Sequence, residues 1–280
     1  MRTRASNSKA KAAGSPELEQ DCSRCRKERC SWIFSGVSEE EFRRFTRLVK
    51  HVHYEEDETI FQEGALAFGV YIVCRGKVKL VGRSPSGKRR ILKLLGPGEV
   101  LGEESLFADG IYTSYARTLE PSLLGFVSRE SFLELVKSSP ALSLKLLEKL
   151  ARELGAFQSK LVEAAYQSGE RRLARLLLAI GERFGRRVTA TAATTATAVE
   201  AEVKDAPAPD SPRLELELEL SRSELAELVG LAPETTIRTL SRLQERGLLE
   251  LEGTKITISD PKGLGELADR LPITPPECII

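Results

Sequence analysis

The chain has 280 residues, a net charge of +1 and 41% hydrophobic residues, with a sequence pI near 7.6. That length allows two modest domains with real cores, and the near-neutral charge excludes a global basic field as the source of any nucleic-acid affinity. No run of eighteen apolar residues and no signal-peptide core are found, so no membrane partner and a cytoplasmic location are expected, and five cysteines at uneven spacing do not form a disulfide framework.

Residues 1–20 are polar, rich in Lys, Arg, Ser and Ala, and are expected to be disordered. Residues 1–35 as a whole form an N-terminus with a cysteine cluster: Cys22, Cys25 and Cys30 make a C-x2-C-x4-C run. Closely spaced thiolates suit iron–sulfur or zinc ligation. Arg24, Arg26, Lys27 and Arg29 crowd them, which lowers thiol pKa values, so redox-reactive thiols without metal are an equal reading. Cys278 falls in a loose tail. A capping box of Ser38 and Glu41 predicts a helix over 38–50. His51 and His53, two apart before a strand, read as surface residues, since no third ligand accompanies them.

From Tyr54 to Val127 short β-rich runs such as VYIVCRGKVKLV alternate with glycines, among them Gly64, Gly69, Gly76, Gly87 and Gly98. This texture predicts an antiparallel barrel or sandwich, placed at 36–139. Cys74 lies in one of these strands and reads either as a small core residue or as a ligand. A long helix is predicted over 141–167. In it Leu147, Leu150, Leu154, Phe157, Leu161 and Ala164 repeat at alternating spacings of three and four, the seam of a two-stranded coiled coil. The alternative is a single helix packed on its own β-domain. The segment 140–168 is assigned to this helix.

The remainder, 169–265, reads as a DNA-binding domain, with a tail at 266–280. Gly169–Phe184 is a helix. Residues 186–212, rich in Ala, Thr and Pro, look like a flexible insertion. LELELEL at 214–220 alternates as a half-buried strand. Ser221 and Glu224 form a second capping box, with Leu225, Leu228 and Val229 as the buried face of a short helix that Gly230 ends. Pro233 starts a second helix, with Ile237, Leu240 and Leu243 inward and Glu234, Thr235, Arg238 and Arg242 on the opposite face. An arginine fork pairs with guanine O6 and N7, and a glutamate accepts from the cytosine amino group, so Arg238 and Glu234 form a candidate reader of the major groove. A solvated amphipathic helix with an i,i+4 ion pair is the competing reading. Ser223 is a further candidate DNA contact, with Arg222 and Arg246 adding local positive charge. LLELEGTKITI at 248–258 is a hairpin turning at Gly253, where Lys255 is either a phosphate contact or a solvated lysine.

Ser221–Gly253, and above all LVGLAPETTIRTLSRL, resembles the winged helix-turn-helix of the CRP/FNR superfamily of bacterial transcription regulators. The phrases IFQEGALAFGVYIVCRGKVKL, ILKLLGPGEVLGEESLF and YTSYAR resemble its cyclic-nucleotide-binding β-roll. The resemblance implies an α+β chain: an antiparallel β-roll sensor, a long dimerisation helix and a C-terminal winged helix-turn-helix. It implies a homodimer reading a palindrome in double-stranded DNA, contacts with RNA polymerase on no particular residue, and no enzymatic activity. No P-loop, nucleophile elbow or HExxH motif is found.

Within the FNR branch the recognition helix carries Glu-x-x-Ser-Arg. Here the run is Glu234-Thr235-Thr236-Ile237-Arg238, with Ile in place of Ser, which implies a TTGA-like half-site. That branch also holds a [4Fe-4S] cluster on three N-terminal cysteines and a fourth near the end of the β-roll. Cys22, Cys25 and Cys30 match the first three, whereas Leu123-Leu124-Gly125-Phe126 has no thiol at the fourth position, leaving Cys74 as the remaining β-roll cysteine. In the nucleotide-binding branch a glutamate holds the ribose and an arginine next to a serine holds the phosphate. Here Glu103 and Ser114 match, the arginine position is Thr113, and the base-contacting hydroxyls of the dimer helix are replaced by Phe157 and Gln158. These changes argue against cyclic AMP, because a buried phosphate without a cation is costly; Arg117 remains as a substitute cation for such a pocket.

Overall fold

A computed structural model describes residues 36–107, 110–188 and 213–268. The chain divides into two compact units, Met1–Gly87 with Leu94–Leu150 and Lys88–Lys93 with Ala151–Ile280. The expectations for residues 1–35 and for the tail beyond Ala268, including Cys22, Cys25, Cys30 and Cys278, lie outside the described residues.

The first unit opens with helix α1 (Glu39–Leu48), held by the capping box foreseen in the sequence: Ser38 Oγ accepts from the Glu41 backbone and Glu41 accepts from the Ser38 backbone (2.8 Å). Strands β1 (Lys50–Tyr54), β2 (Thr59–Phe61), β3 (Gly69–Arg75), β4 (Val78–Arg83), β5 (Arg89–Leu95, of which Arg89–Lys93 counts with the second unit) and β6 (Val100–Leu101) follow. Helix α2 (Glu103–Phe107) precedes β7 (Tyr115–Thr118) and β8 (Ser122–Ser128), and α3 (Arg129–Ser138) closes the roll. Among the described residues the strands form two four-stranded sheets, in the orders β1-β8-β3-β6 and β2-β7-β4-β5, with β1–β8, β3–β8, β3–β6, β2–β7 and β4–β7 paired antiparallel. Alternating apolar residues such as Val70, Leu80, Leu101, Leu124 and Val127 meet in one core, as period-two burial requires. Leu142 and Leu146, from the start of the next helix, join that core.

Helix α4 runs Pro140–Tyr166, matching the predicted span to within a residue at either end. Helix α5 (Gly169–Phe184) starts at an N-cap Ser168. Strands β9 (Gly185–Val188) and β10 (Arg213–Leu216), helices α6 (Arg222–Val229) and α7 (Pro233–Glu245), the hairpin β11 (Leu249–Glu252) and β12 (Lys255–Ile258), and helix α8 (Pro261–Ala268) complete the second unit. Its sheet order is β11-β12-β10-β9. Leu173, Leu177, Ile180, Leu225, Leu240, Leu243, Ile258 and Leu264 are its fully buried centre.

Three boundaries differ from expectation. Residues 186–188 are not loop: they pair with Arg213, Leu214 and Glu215 in β9, because β10 offers them a ladder that composition does not show. The expected strand over 214–220 ends at Leu216, although Leu218 and Leu220 stay buried. Residues 266–268, assigned to the tail, belong to α8, where Leu264 and Ala268 pack inward. No helix among the described residues is long and apolar enough to cross a membrane.

Candidate functional site

The candidate DNA-reading site is α6, a tight corner and α7. Ser221 caps α6 with Glu224 in a reciprocal box. Gly230 ends it in the left-handed region (φ 72°), a conformation glycine adopts without steric cost. Pro233 is the first residue of α7, whose N-cap, Ala232, makes no side-chain hydrogen bond.

The buried face of α7 is Thr236, Thr239, Leu240 and Leu243. This corrects the placement of Ile237, which was expected inward and is 48% exposed. The threonines are able to take the interior because each hydroxyl donates to the carbonyl four residues back, Thr236 to Ala232 (3.1 Å) and Thr239 to Thr235 (2.8 Å); a satisfied hydroxyl loses most of its burial cost. Glu234, Arg238 and Arg242 are exposed, as expected, and Thr235 is half-buried beside them. Ser223 and Lys255 are exposed as well. Arg222 does a structural job: its Nη2 donates to the Gly253 carbonyl (2.9 Å), tying the start of α6 to the wing turn. Arg246 pairs with Glu170 (3.1 Å). Of the expected local positive charge, Arg238 and Arg242 thus stand on the exposed face of α7, whereas Arg222 and Arg246 make intramolecular contacts.

In the β-roll, Glu103 opens α2 with 1% of its surface exposed. Its carboxylate is in ionic contact with the Lys149 ammonium, which also donates to the Val100 carbonyl (2.9 Å). Glu103 Oε2 and Ser105 Oγ are buried without a hydrogen-bond partner among the described residues. Ser114 is buried nearby in sequence and Thr113 is exposed. Arg117, entertained as the substitute cation, sits on the alternate face of β7 from buried Ala116 and Thr118, and its Nη1 pairs with Asp57 Oδ1 (3.0 Å). The cation beside Glu103 is therefore Lys149, from α4, which sequence reasoning missed. No local pattern announces a pairing that long-range folding creates.

Cys74 is half-buried at an irregularity of β3, where pairing with β8 shifts register between Val73 and Arg75. Such bulges re-aim a side chain. A Cβ at Gly125 would stand 3.5 Å from Cys74 Sγ and 2.6 Å from Val49 Cγ1. Position 125, where the resemblance expects a thiol, has no room for a side chain, and a thiol stands beside it on the neighbouring strand. Among the described residues no group of three or more metal-ligating side chains assembles.

The seam residues of α4 are exposed: Leu147 62%, Leu150 36%, Leu154 61%, Phe157 46% and Leu161 72%. Farther along the helix Lys160 is half-buried, and its pKa is lowered to about 8 by burial and by the neighbouring Arg90 and Lys93 charges.

Comparison with known proteins agrees with both halves. The family model for the cyclic nucleotide-binding domain matches residues 51–139, and that for the Crp-like helix-turn-helix domain matches 171–267. A CRP-like cAMP-activated global transcriptional regulator of Mycobacterium tuberculosis is 29% identical over 236 residues, 84% of this chain and 96% of that protein. The nitrogen fixation regulation protein FixK of Bradyrhizobium diazoefficiens is 26% identical, over 86% of this chain and 91% of that protein. The solved structure of FixK2 from Bradyrhizobium japonicum shares the fold with a TM-score of 0.64 at 23% identity, covering 80% of this chain and 99% of that one. A cyclic nucleotide-binding β-roll followed by a Crp-like helix-turn-helix, shared with transcription regulators over nearly their whole length, places this chain in the CRP/FNR superfamily of DNA-binding transcription regulators.

Proposed function

We propose that the chain works as a homodimer on a palindrome with TTGA-like half-sites, and that its signal is a redox change read by thiols rather than cyclic AMP. The observation that carries the dimer is the α4 seam, five large apolar side chains left in solvent along one helix face; soluble proteins rarely leave so continuous an apolar stripe uncovered, and a second copy of the same helix fits it. A two-fold dimer sets its recognition helices about 34 Å apart, one DNA turn. Glu234 and Arg238 then read a C·G pair in each half-site. RNA polymerase is the partner through which such binding would reach transcription. Sedimentation of the full chain is expected to show a dimer that Leu154→Glu dissociates; a monomeric wild-type protein would end this reading.

The case against cyclic AMP rests on charge. Glu103 and Lys149 neutralise each other, so this lysine is already committed and a phosphate beside it would add an uncompensated negative charge to a low-dielectric space. Two observations favour the alternative. Relatives from Mycobacterium tuberculosis and Thermus thermophilus are named for cyclic AMP, and the orphaned Glu103 Oε2 and Ser105 Oγ could bond a hydroxyl-bearing ligand. Titration with labelled cyclic AMP separates the two: no saturation up to millimolar nucleotide is expected, and micromolar saturation would reverse the assignment.

For the thiols, Cys74 is the described member of a set completed by Cys22, Cys25 and Cys30. A [4Fe-4S] cluster held there would make DNA binding oxygen-sensitive; zinc would not be air-labile. Iron and acid-labile sulfide, measured on anaerobically purified protein before and after air, distinguish a cluster from bare thiols. In either case Cys25→Ser is expected to remove the response of DNA binding to air, and an unchanged response would exclude both.

A further inference from the structure

We infer that Ile237 reads the C5-methyl group of a thymine next to the C·G pair addressed by Glu234 and Arg238. The inference rests on the DNA-reading function of α7 and adds to it a base preference. Ile237 is 48% exposed, whereas Leu225, Leu240 and Leu243 of the same helix pair are almost fully buried. It stands three residues after Glu234 and immediately before Arg238, and its carbonyl accepts from Ser241 one turn on (3.2 Å), so it shares the exposed face with Glu234, Arg238 and Ser241.

Single exposed apolar residues are common and need no function. This one differs because its neighbours fix what it will meet. When Glu234 and Arg238 engage base edges, a side chain between them is carried into the major groove and loses water. Isoleucine neither donates nor accepts a hydrogen bond, so opposite a polar base edge it would leave that edge unpaired. One apolar group is offered in the major groove, the methyl of thymine, and apolar side chains recognise it by contact. The branched side chain is also stiff at χ1, so little freedom is lost on docking.

The test uses the full-length protein. A duplex site is selected from a random pool, and its thymines are replaced one position at a time, in both half-sites, by deoxyuridine, which removes only the methyl group. Wild-type protein is expected to lose about fourfold in affinity per half-site at one symmetric thymine position, the worth of one buried methyl group, and to ignore the change elsewhere. Ile237→Ser is expected to bind the thymine and deoxyuridine sites alike, and Ile237→Val to keep the discrimination. Because residue 237 is exposed, both variants should melt with the wild-type protein, so a shifted melting curve would show a core role and overturn the inference. Indifference of the wild type to every thymine methyl, or equal sensitivity in wild type and Ile237→Ser, also overturns it while leaving specific DNA binding intact. A pool that yields no consensus overturns the DNA reading itself, and the inference with it.

Discussion

The two ends of the chain handle charge in opposite ways. In the winged helix, Glu234, Arg238 and Arg242 are exposed on one face of α7. In the β-roll, the buried Glu103 is in ionic contact with the half-buried Lys149. An exposed charged face costs little to maintain and is available to a partner. A buried pair is already answered, and it depends on both members being present. The same family plan therefore leaves one end open for recognition and fills the other end from within the chain.

The largest effect is expected from breaking the buried pair. Lys149→Ala strands the Glu103 carboxylate and should cost the β-roll roughly 3–5 kcal/mol, whereas the double replacement Lys149→Met with Glu103→Gln should come back close to wild type. Urea unfolding of the wild type, Lys149→Ala, Lys149→Met, Glu103→Gln and the double variant measures this; a double variant that loses the sum of the Lys149→Met and Glu103→Gln losses would show that the two side chains do not act as a pair. In α7, Leu243→Ala removes a fully buried side chain and should destabilise the C-terminal unit by about 2–5 kcal/mol, seen as an earlier melting transition. Arg238→Ala should do the reverse: a wild-type melt, with about 1–3 kcal/mol lost on the specific site and little lost on random DNA. Equal loss on both sequences would make Arg238 a phosphate contact.

The smallest effect is a pH dependence at Lys160. Burial holds its pKa near 8, below the usual 10.5. Between those values the unfolded chain binds more protons than the folded one, so this residue makes stability rise with pH across that window and adds nothing further above it. Lys160→Met should remove that rise and raise stability at pH 7. An identical pH profile in the variant would show that the ammonium is solvated.

What the sequence made legible were the features with local signals. The capping boxes at Ser38 and Ser221, the Gly230 stop, the Pro233 start and the Gly253 turn each act within a few residues, and the structure carries each of them. The exposure of Ile237 was hidden because hydrophobic period weighs isoleucine above threonine; two threonines that satisfy their own hydroxyls reversed that preference. Strand β9 was hidden because its residues run into an Ala/Thr-rich stretch, and only the β10 ladder makes them a strand. Lys149 beside Glu103, and Cys74 beside Gly125, join residues far apart in sequence. No spacing rule reaches such pairs, which is why α6 and α7 were clearer than the β-roll.

The most direct measurement is an anisotropy titration of the full-length protein on its selected palindrome and on a scrambled duplex, at one salt concentration, with and without saturating cyclic AMP. Tight binding to the palindrome, at least about 1,000-fold weaker binding to the scrambled duplex, and no change with the nucleotide are the expected results. A preference for the palindrome that emerges only when cyclic AMP is added would contradict the reading of the Glu103–Lys149 pair and restore the nucleotide as the signal.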